Sequence, residues 1–204
     1  DTSALHLDPT LPTPLTVVLT QRDDRAILTA TGTLAATSGA DVPDDLLAAA
    51  RHVHSASYFL QPRLAADLPD LLRTARSHGA TTSLDPQDDP SGTWAGLSAV
   101  LAQTDILLPN AAEALCLAGP AARTPEDAAE LLAARGPLAV VKKGAEGALC
   151  HDGRRLLTSP GVPADPKDTV GAGDSFDAGF VAATLDGHSP DEALTFAVTC
   201  GALS

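Results

Sequence analysis

Methionine is absent from this sequence of 204 residues, and aromatic residues make up only 3% of it. With so few aromatic rings, a core has to be filled by Ala, Leu and Val, and hydrophobic residues of all types reach 44%. That share suits one large globular domain at this length. Because the first residue is Asp1 and no methionine follows, we expect the start of the translated protein to lie outside this chain.

Positive charge is scarce as well. The 13 Lys and Arg residues face 26 Asp and Glu residues, which gives a formal net charge of −13. Phosphate contacts to a nucleic acid need clustered positive charge, so this balance argues against a nucleic-acid partner. An anionic small molecule remains compatible with the sequence if its pocket is locally positive.

Cysteine is rare, and Cys116, Cys150 and Cys200 lie far apart without a CxxC pair. This spacing argues against a structural zinc site or a disulfide framework and favours a reducing compartment. The sequence also lacks an apolar run of about 18 residues and the pattern of a signal peptide. We therefore expect a cytoplasmic protein without a membrane partner.

Three common active-site motifs are missing. The sequence has no G-x-x-x-x-G-K-[ST] loop, no G-x-G-x-x-G after a predicted strand and no G-x-S-x-G. These absences argue against a P-loop NTPase, a dinucleotide-binding fold and an α/β-hydrolase. The six histidines lack the spacing of metal ligands.

Helical and strand patterns alternate along most of the chain. Helices are predicted over residues 64–78, 94–103, 110–117, from 124 onward, 171–186 and 190–203. Strands are predicted over residues 81–84, 105–108 and 138–141, with a hairpin over 148–151 and 154–158. Such alternation predicts an α/β fold with a mostly parallel sheet flanked by helices.

The first 60 residues have a different pattern. Two short strands are predicted at residues 15–20 and 26–31, joined by a polar turn at residues 21–25. A helix over residues 44–53 and a strand over residues 56–60 are expected to follow.

The segment DTVGAGDSF at residues 168–176 is the strongest chemical signal. Gly171, Ala172 and Gly173 place small side chains at the start of a predicted helix, where backbone N–H groups lack intrahelical partners and attract an anion. Asp174 then lies beside that anion, where it can accept a proton from an attacking hydroxyl. The alternative is that Asp174 only complements the helix dipole.

Four segments together resemble one family. Residues 168–180 (DTVGAGDSFDAGF) closely resemble the C-terminal signature of the ribokinase-like sugar kinases, the PfkB family. Three further segments match in the family's order: DILLPNAAE at 105–113, VVKKGAEGAL at 140–149 and SLDPQDDPSGTW at 83–94. Four ordered matches are more specific than any single motif.

The resemblance implies a catalytic centre in residues 171–174. Asp174 would be the general base that deprotonates the substrate hydroxyl. The backbone N–H groups of Gly171, Ala172, Gly173 and Asp174 would form the anion hole, which stabilises charge on the transferring phosphoryl group.

The resemblance also implies a nucleotide site. Asn110 and Glu113 would hold the ATP phosphates and Mg²⁺, with Glu113 acting through a water molecule.

Gly144 and Gly147 would let the chain pass close to the nucleotide, and Lys142 would reach its phosphates. A monovalent cation, K⁺ among the candidates, would bind Asp168 and the carbonyl oxygen of Val170.

Structural interpretations of these residues stay open. Asn110 and Glu113 have the spacing of a capping box, in which each side chain bonds the other's backbone N–H. Gly144 and Gly147 could be turn glycines, and Asp168 could bond its own backbone in a loop.

The resemblance implies a sugar or sugar acid as the acceptor. Arg63 stands near the position where ribokinases place a Glu that contacts ribose, which argues against ribose. Lys142 replaces the Thr usual in ribokinases and resembles some fructokinases and 2-keto-3-deoxygluconate kinases. Two alternatives remain, a nucleoside kinase of the same family and a non-catalytic relative that binds a sugar or nucleotide.

The resemblance divides the chain into two parts. Residues 1–36 would be partial lid strands and a connection, and residues 37–204 the ribokinase-like α/β core. The family's N-terminal sugar-binding loop and its C-terminal end would lie outside this chain. Many relatives pair through their lid strands, so the resemblance allows a homodimer through these strands and leaves the oligomeric state open.

Overall fold

The computed structural model describes residues 5, 7–21, 24–164 and 169–204. Within these ranges, a small antiparallel ribbon pairs β1 (Leu15–Gln21) with β2 (Asp24–Ala30). The predicted turn between them falls partly on residues 22–23, which lie outside the described residues. The ribbon confirms the two strands expected near the N-terminus.

A six-stranded sheet follows, with its strands side by side in chain order. They are β3 (His52–Ala56), β4 (Thr81–Asp85), β5 (Ile106–Leu107), β6 (Leu138–Lys142), β7 (Gly147–His151) and β8 (Leu156–Pro160). The strand pairs β3–β4, β4–β5 and β5–β6 are parallel, whereas the pairs β6–β7 and β7–β8 are antiparallel.

Helices connect and cover this sheet. They are α1 (Asp44–Ala49), α2 (Pro62–Ser77), α3 (Ser98–Leu101), α4 (Ala111–Ala118), α5 (Pro125–Ala133), α6 (Ala172–Leu185) and α7 (Pro190–Leu203). The mostly parallel sheet flanked by helices confirms the predicted α/β fold. No helix among the described residues is both long and apolar enough to cross a bilayer.

The predicted helix over residues 44–53 is wrong at its end. Helix α1 stops at Ala49, and the chain enters β3 at His52. There the His52 ring hydrogen-bonds Thr81 Oγ1 at 2.7 Å and Ser83 Oγ at 2.6 Å, both on β4. These cross-strand contacts favour the strand, and local periodicity contains no signal for them.

Two further predictions differ from the structure. Of the strand predicted over residues 56–60, only Ala56 belongs to a strand, the end of β3, and a short 3₁₀ turn (Tyr58–Leu60) occupies most of the segment. The helix predicted over residues 94–103 shrinks to Ser98–Leu101. The buried Asp89 carboxylate accepts a hydrogen bond from the Trp94 backbone N–H at 2.7 Å and so holds the preceding segment in a loop.

Alternate residues of the central strands pack into two hydrophobic cores, one on each face of the sheet. Leu107 and Val141 pack with helices α2 to α5 on one face. Their neighbours Leu108 and Val140 pack with Phe180 and the rest of α6 and α7 on the other. A strand buried on both faces is typical of parallel sheets. This packing places the start of α6 at the carboxyl end of the central strands.

Helices α6 and α7 cross at a small residue. A Cβ added to Gly179 would lie 2.8 Å from Cys200 Sγ, which is closer than real side chains approach. The close contact lets α6 and α7 pack side by side on the same face of the sheet.

One face of the ribbon is apolar and exposed. Leu15, Val17 and Leu19 alternate along β1, and the register places Leu28 of β2 opposite Val17. Their exposed fractions range from 44% to 64%. Within the described residues, nothing covers these four side chains.

The turn from β6 to β7 contains two glycines with positive φ but different surroundings. Gly144 has φ +58°, and an added Cβ would meet nothing within 4 Å. Gly147 has φ +94°, and an added Cβ would collide with the backbone of β8, with Ser159 O as its nearest atom. Close strand packing therefore requires Gly147 but not Gly144.

We predict that Gly147→Ala lowers the free energy of unfolding by about 3 kcal/mol or more, because backbone has to move. Gly144→Ala should cost about 1 kcal/mol, the cost of a left-handed conformation alone. Urea unfolding of both variants measures the difference. Equal losses would contradict this assignment.

A second prediction concerns His52. Burial lowers the pKa of His52 to about 4, whereas an unfolded His has a pKa near 6.5. The unfolded chain therefore binds a proton first, and stability present above pH 6.5 is lost as the pH falls towards 4. Urea unfolding at pH 7 and pH 4.5 should show a smaller loss in His52→Gln than in wild type. The exposed His188→Gln variant should follow wild type.

Candidate active site

Charged side chains from two strands and two helices meet at the carboxyl end of the sheet. Asp85 ends β4, Lys142 ends β6, and Glu113 lies in the first turn of α4 just after β5. Asp174 and Asp177 lie in the first turns of α6. Ligands of open α/β sheets bind at this edge, so the cluster is the candidate active site.

Lys142 is the centre of the cluster. Its Nζ lies 3.0 Å from Asp85 Oδ2 and 3.0 Å from Asp177 Oδ1. The exposed fractions of the three side chains are 13% for Lys142, 5% for Asp85 and 4% for Asp177. Two carboxylates thus share one ammonium group, and all three side chains are almost completely buried.

The titration behaviour of the cluster follows from this geometry. Burial lowers the pKa of the Lys142 amine, but the two carboxylates outweigh it and the pKa is raised. Burial raises the pKa of Asp177, and the negative charge of Asp85 adds to the rise against the opposing Lys142 ammonium. A raised carboxyl pKa means that Asp177 holds a proton more readily than an ordinary aspartate.

Asp174 is the exposed member of the cluster. One oxygen of its carboxylate and one oxygen each of Asp85 and Asp177 lie within 4.8 Å of one another. Three carboxylates could hold a metal ion, but the Lys142 ammonium already lies against two of them. Asp174 is therefore the carboxylate that is free to face a substrate.

The predicted anion hole lies at the start of α6, and its role stays a prediction. Gly171 is the N-cap with φ 85°, and the helix begins at Ala172. The first regular helical bond runs from the Ser175 N–H to Gly171 O at 2.8 Å, so the amides of Gly173 and Asp174 precede the helical ladder. Amides at that position point towards an incoming anion.

The predicted cation site is described only in part. Asp168 lies outside the described residues. Val170 is described and is 58% exposed, just before Gly171. The assignment of a monovalent cation to these two residues stays a prediction.

Asn110 and Glu113 form the capping box that the sequence offered as an alternative. Glu113 Oε2 accepts the Asn110 N–H at 2.8 Å, and Asn110 Oδ1 accepts the Glu113 N–H at 3.0 Å. Burial raises the pKa of Glu113 despite the opposing bond from Asn110. The box accounts for one oxygen of each side chain, so it does not by itself exclude a role in nucleotide binding.

A groove of about 420 Å³ runs from this capping box to the β6–β7 turn. It brings together three residues predicted to bind ATP, namely Asn110, Lys142 and Gly144. Its full lining is Asn110, Ala111, Ala112, Pro125, Lys142, Lys143, Gly144 and Glu146. Gly147 and Glu113 are not among the lining residues.

Asp85 and Asp177 belong to the cluster although no sequence motif predicts a role for them. Asp85 directly follows a buried strand and precedes a proline, and Asp177 lies three residues after Asp174 on one helix. Both signals were present, but neither identifies the lysine that joins them.

Comparison with known proteins agrees with this geometry. The model of the pfkB family carbohydrate kinases matches residues 1–204. The chain is 35% identical to the ATP-dependent ribose-1-phosphate kinase of Halopiger xanaduensis over 157 residues, covering 76% of this chain and 48% of that protein. It is 32% identical to the 2-dehydro-3-deoxygluconokinase of Bacillus subtilis over 177 residues, covering 80% and 53%. The chain thus spans about half the length of these relatives.

A solved structure shows the same fold. The putative ribokinase II of E. coli in complex with ATP and Mg²⁺ superposes with a TM-score of 0.84 at 25% identity, covering 96% of this chain and 65% of that one. Together with the family match over every residue, this confirms the resemblance drawn from the motifs. The chain belongs to the pfkB family of carbohydrate kinases.

Proposed function

We propose that the protein containing this chain transfers the γ-phosphoryl group of ATP to a hydroxyl of a sugar or sugar acid. The observation that carries the proposal is the position of Asp174, exposed at the start of α6 beside the N-terminal amides of that helix. Two relatives of the chain are named as a ribose-1-phosphate kinase and a 2-dehydro-3-deoxygluconokinase, and others as ribokinases, which supports a sugar or sugar-acid substrate.

Each part of the site has a role in this reaction. Asp174 accepts the proton of the acceptor hydroxyl, and that oxygen then attacks the γ-phosphorus in line. The amides of Gly171, Ala172, Gly173 and Asp174 donate to the phosphoryl oxygens as their negative charge is redistributed.

The nucleotide would lie in the groove between α4 and the β6–β7 turn. Asn110, Lys142 and Gly144 line it, and Gly147 shapes the turn from behind.

Carboxylate oxygens suit Mg²⁺, and Glu113 lies in the first turn of α4 next to Asn110 at the end of the groove. Glu113 would hold the ion through water, and the ion would neutralise phosphate charge. Asp168 and the Val170 carbonyl would hold a monovalent cation.

The same proposal includes the cellular location of the protein, the division of the chain into two parts and its oligomeric state. We place it in the cytoplasm, with residues 1–36 as a partial lid and residues 37–204 as the core. A homodimer through β1 and β2 would bury the exposed apolar face of Leu15, Val17, Leu19 and Leu28.

We expect Asp174→Asn to lower kcat by about 10³-fold, because the amide cannot accept the proton. ATP consumption by the full-length protein is measured against sugars, sugar acids and nucleosides, with the variant alongside. Asp174 is exposed, so the variant should unfold at the wild-type temperature. Retained ATP binding without turnover of any acceptor by the wild type would favour a non-catalytic binding protein.

Glu113→Gln separates the two roles of Glu113. Glutamine can still close the capping box, so stability should stay within about 1 kcal/mol of wild type. Loss of the carboxylate charge should raise the Mg²⁺ concentration needed for half-maximal activity about tenfold. The measurement is a Mg²⁺ titration at saturating ATP. An unchanged Mg²⁺ requirement would assign Glu113 to the helix cap alone.

A further inference from the structure

Lys142 joins three elements that are distant in the sequence. Its ammonium group lies at the end of β6 and contacts Asp85 of β4, 57 residues away, and Asp177 of α6, 35 residues away. The second oxygen of Asp177 is also within 3.1 Å. The other oxygen of Asp85 accepts the backbone N–H of Gln87 at 3.1 Å, so the loop after β4 is fixed by the same carboxylate.

Asp177 transmits this restraint to the catalytic end of α6. It lies three residues after Asp174, so the two are neighbours on the helix surface. Asp177, Phe176 and Phe180 are buried, whereas Asp174 is exposed. Because one helical turn is rigid, a fixed Asp177 fixes the direction of Asp174.

Lys142 also lies close to the proposed anion hole. A Cβ added to Gly173 would lie 3.7 Å from Lys142 Nζ, which is ordinary van der Waals contact and places the ammonium group beside the first turn of α6.

The ammonium group of Lys142 has two charged partners already. To bind a phosphate it would have to leave two charge-assisted hydrogen bonds and two buried carboxylates. The neighbouring Lys143 differs, since its partners Glu126 and Glu146 are 40% and 77% exposed. Only the stem of Lys142 is then needed to line the groove.

We propose that Lys142 is a positioning residue, which with Asp85 and Asp177 locks the first turns of α6 so that Asp174 and the anion-hole amides stay aligned for phosphoryl transfer. Its ammonium group holds helix α6 in place and does not bind the ATP phosphates. This inference rests on the proposed kinase function and adds a role that the motif resemblance does not give.

The test uses full-length protein and the acceptor found in the panel above. Lys142→Met should lower kcat about 100-fold, the effect of a misplaced catalytic group, while KM for ATP changes less than about threefold. Asp177→Asn, which preserves shape, should lower kcat by a smaller factor. The double variant should be about as slow as Lys142→Met alone, because both changes break one network.

Arg76→Met is the matched control. It removes an ion pair with Asp105, with Arg76 Nη2 3.2 Å from Asp105 Oδ1, away from the site. Its kcat and KM should equal those of wild type.

Two outcomes would overturn the proposal. One is a rise of about tenfold or more in KM for ATP at unchanged kcat in Lys142→Met, which would assign the ammonium group to the phosphates. The other is additive loss in the double variant.

Hydrogen exchange provides a readout that does not need turnover. The amides of residues 175–178 should exchange faster in Lys142→Met and in Asp177→Asn than in Arg76→Met. Unchanged exchange in both overturns the proposal even if no acceptor is found. If wild type shows no turnover but the variants exchange as expected, the proposed kinase function is wrong and the positioning role of Lys142 stands. If Lys142→Met does not fold, Asp177→Asn decides the question.

Discussion

The contact between the Lys142 ammonium and two buried carboxylates is the interaction on which the site depends. Ions buried away from water are unfavourable unless their geometry is good, and each partner here lies at 3.0 Å. Removing Lys142 would leave two buried carboxylates without their cation. The network therefore restricts β4, β6 and α6 to one relative arrangement, and the candidate base is placed by that arrangement.

The sheet explains why these groups can meet. Parallel strands from β3 to β6 all end at one edge, and the segments that follow them start there. Asp85, Asn110 and Lys142 are each at or just beyond the end of a strand. The antiparallel pair β7 and β8 then carries the chain back, and α6 begins again at the same edge. Distant parts of the sequence thus share one small volume.

Local signals allowed much of this to be predicted from the sequence. The helices α6 and α7, the Asn110–Glu113 capping box and the alternation of strands all depend on neighbours within a few residues. The failures have the opposite cause. The start of β3 depends on hydroxyl groups of β4, and the loop before α3 depends on the carboxylate of Asp89. Asp85 and Asp177 acquire their roles only through Lys142, and no pattern along the chain contains that information.

The crossing of α6 and α7 has a consequence for how this sequence can vary over evolution. Gly179 faces Cys200 with no room for a methyl group, and Gly201 faces Phe176 at similarly close range. A larger residue at position 179 would push α6 and α7 apart unless position 200 became smaller at the same time. Positions 179 and 200 should therefore covary among descendants of this protein, even though neither touches a substrate. Substitutions at this contact between α6 and α7 are therefore limited by the need to keep Asp174 in position, although Asp174 lies one and a half turns away from Gly179.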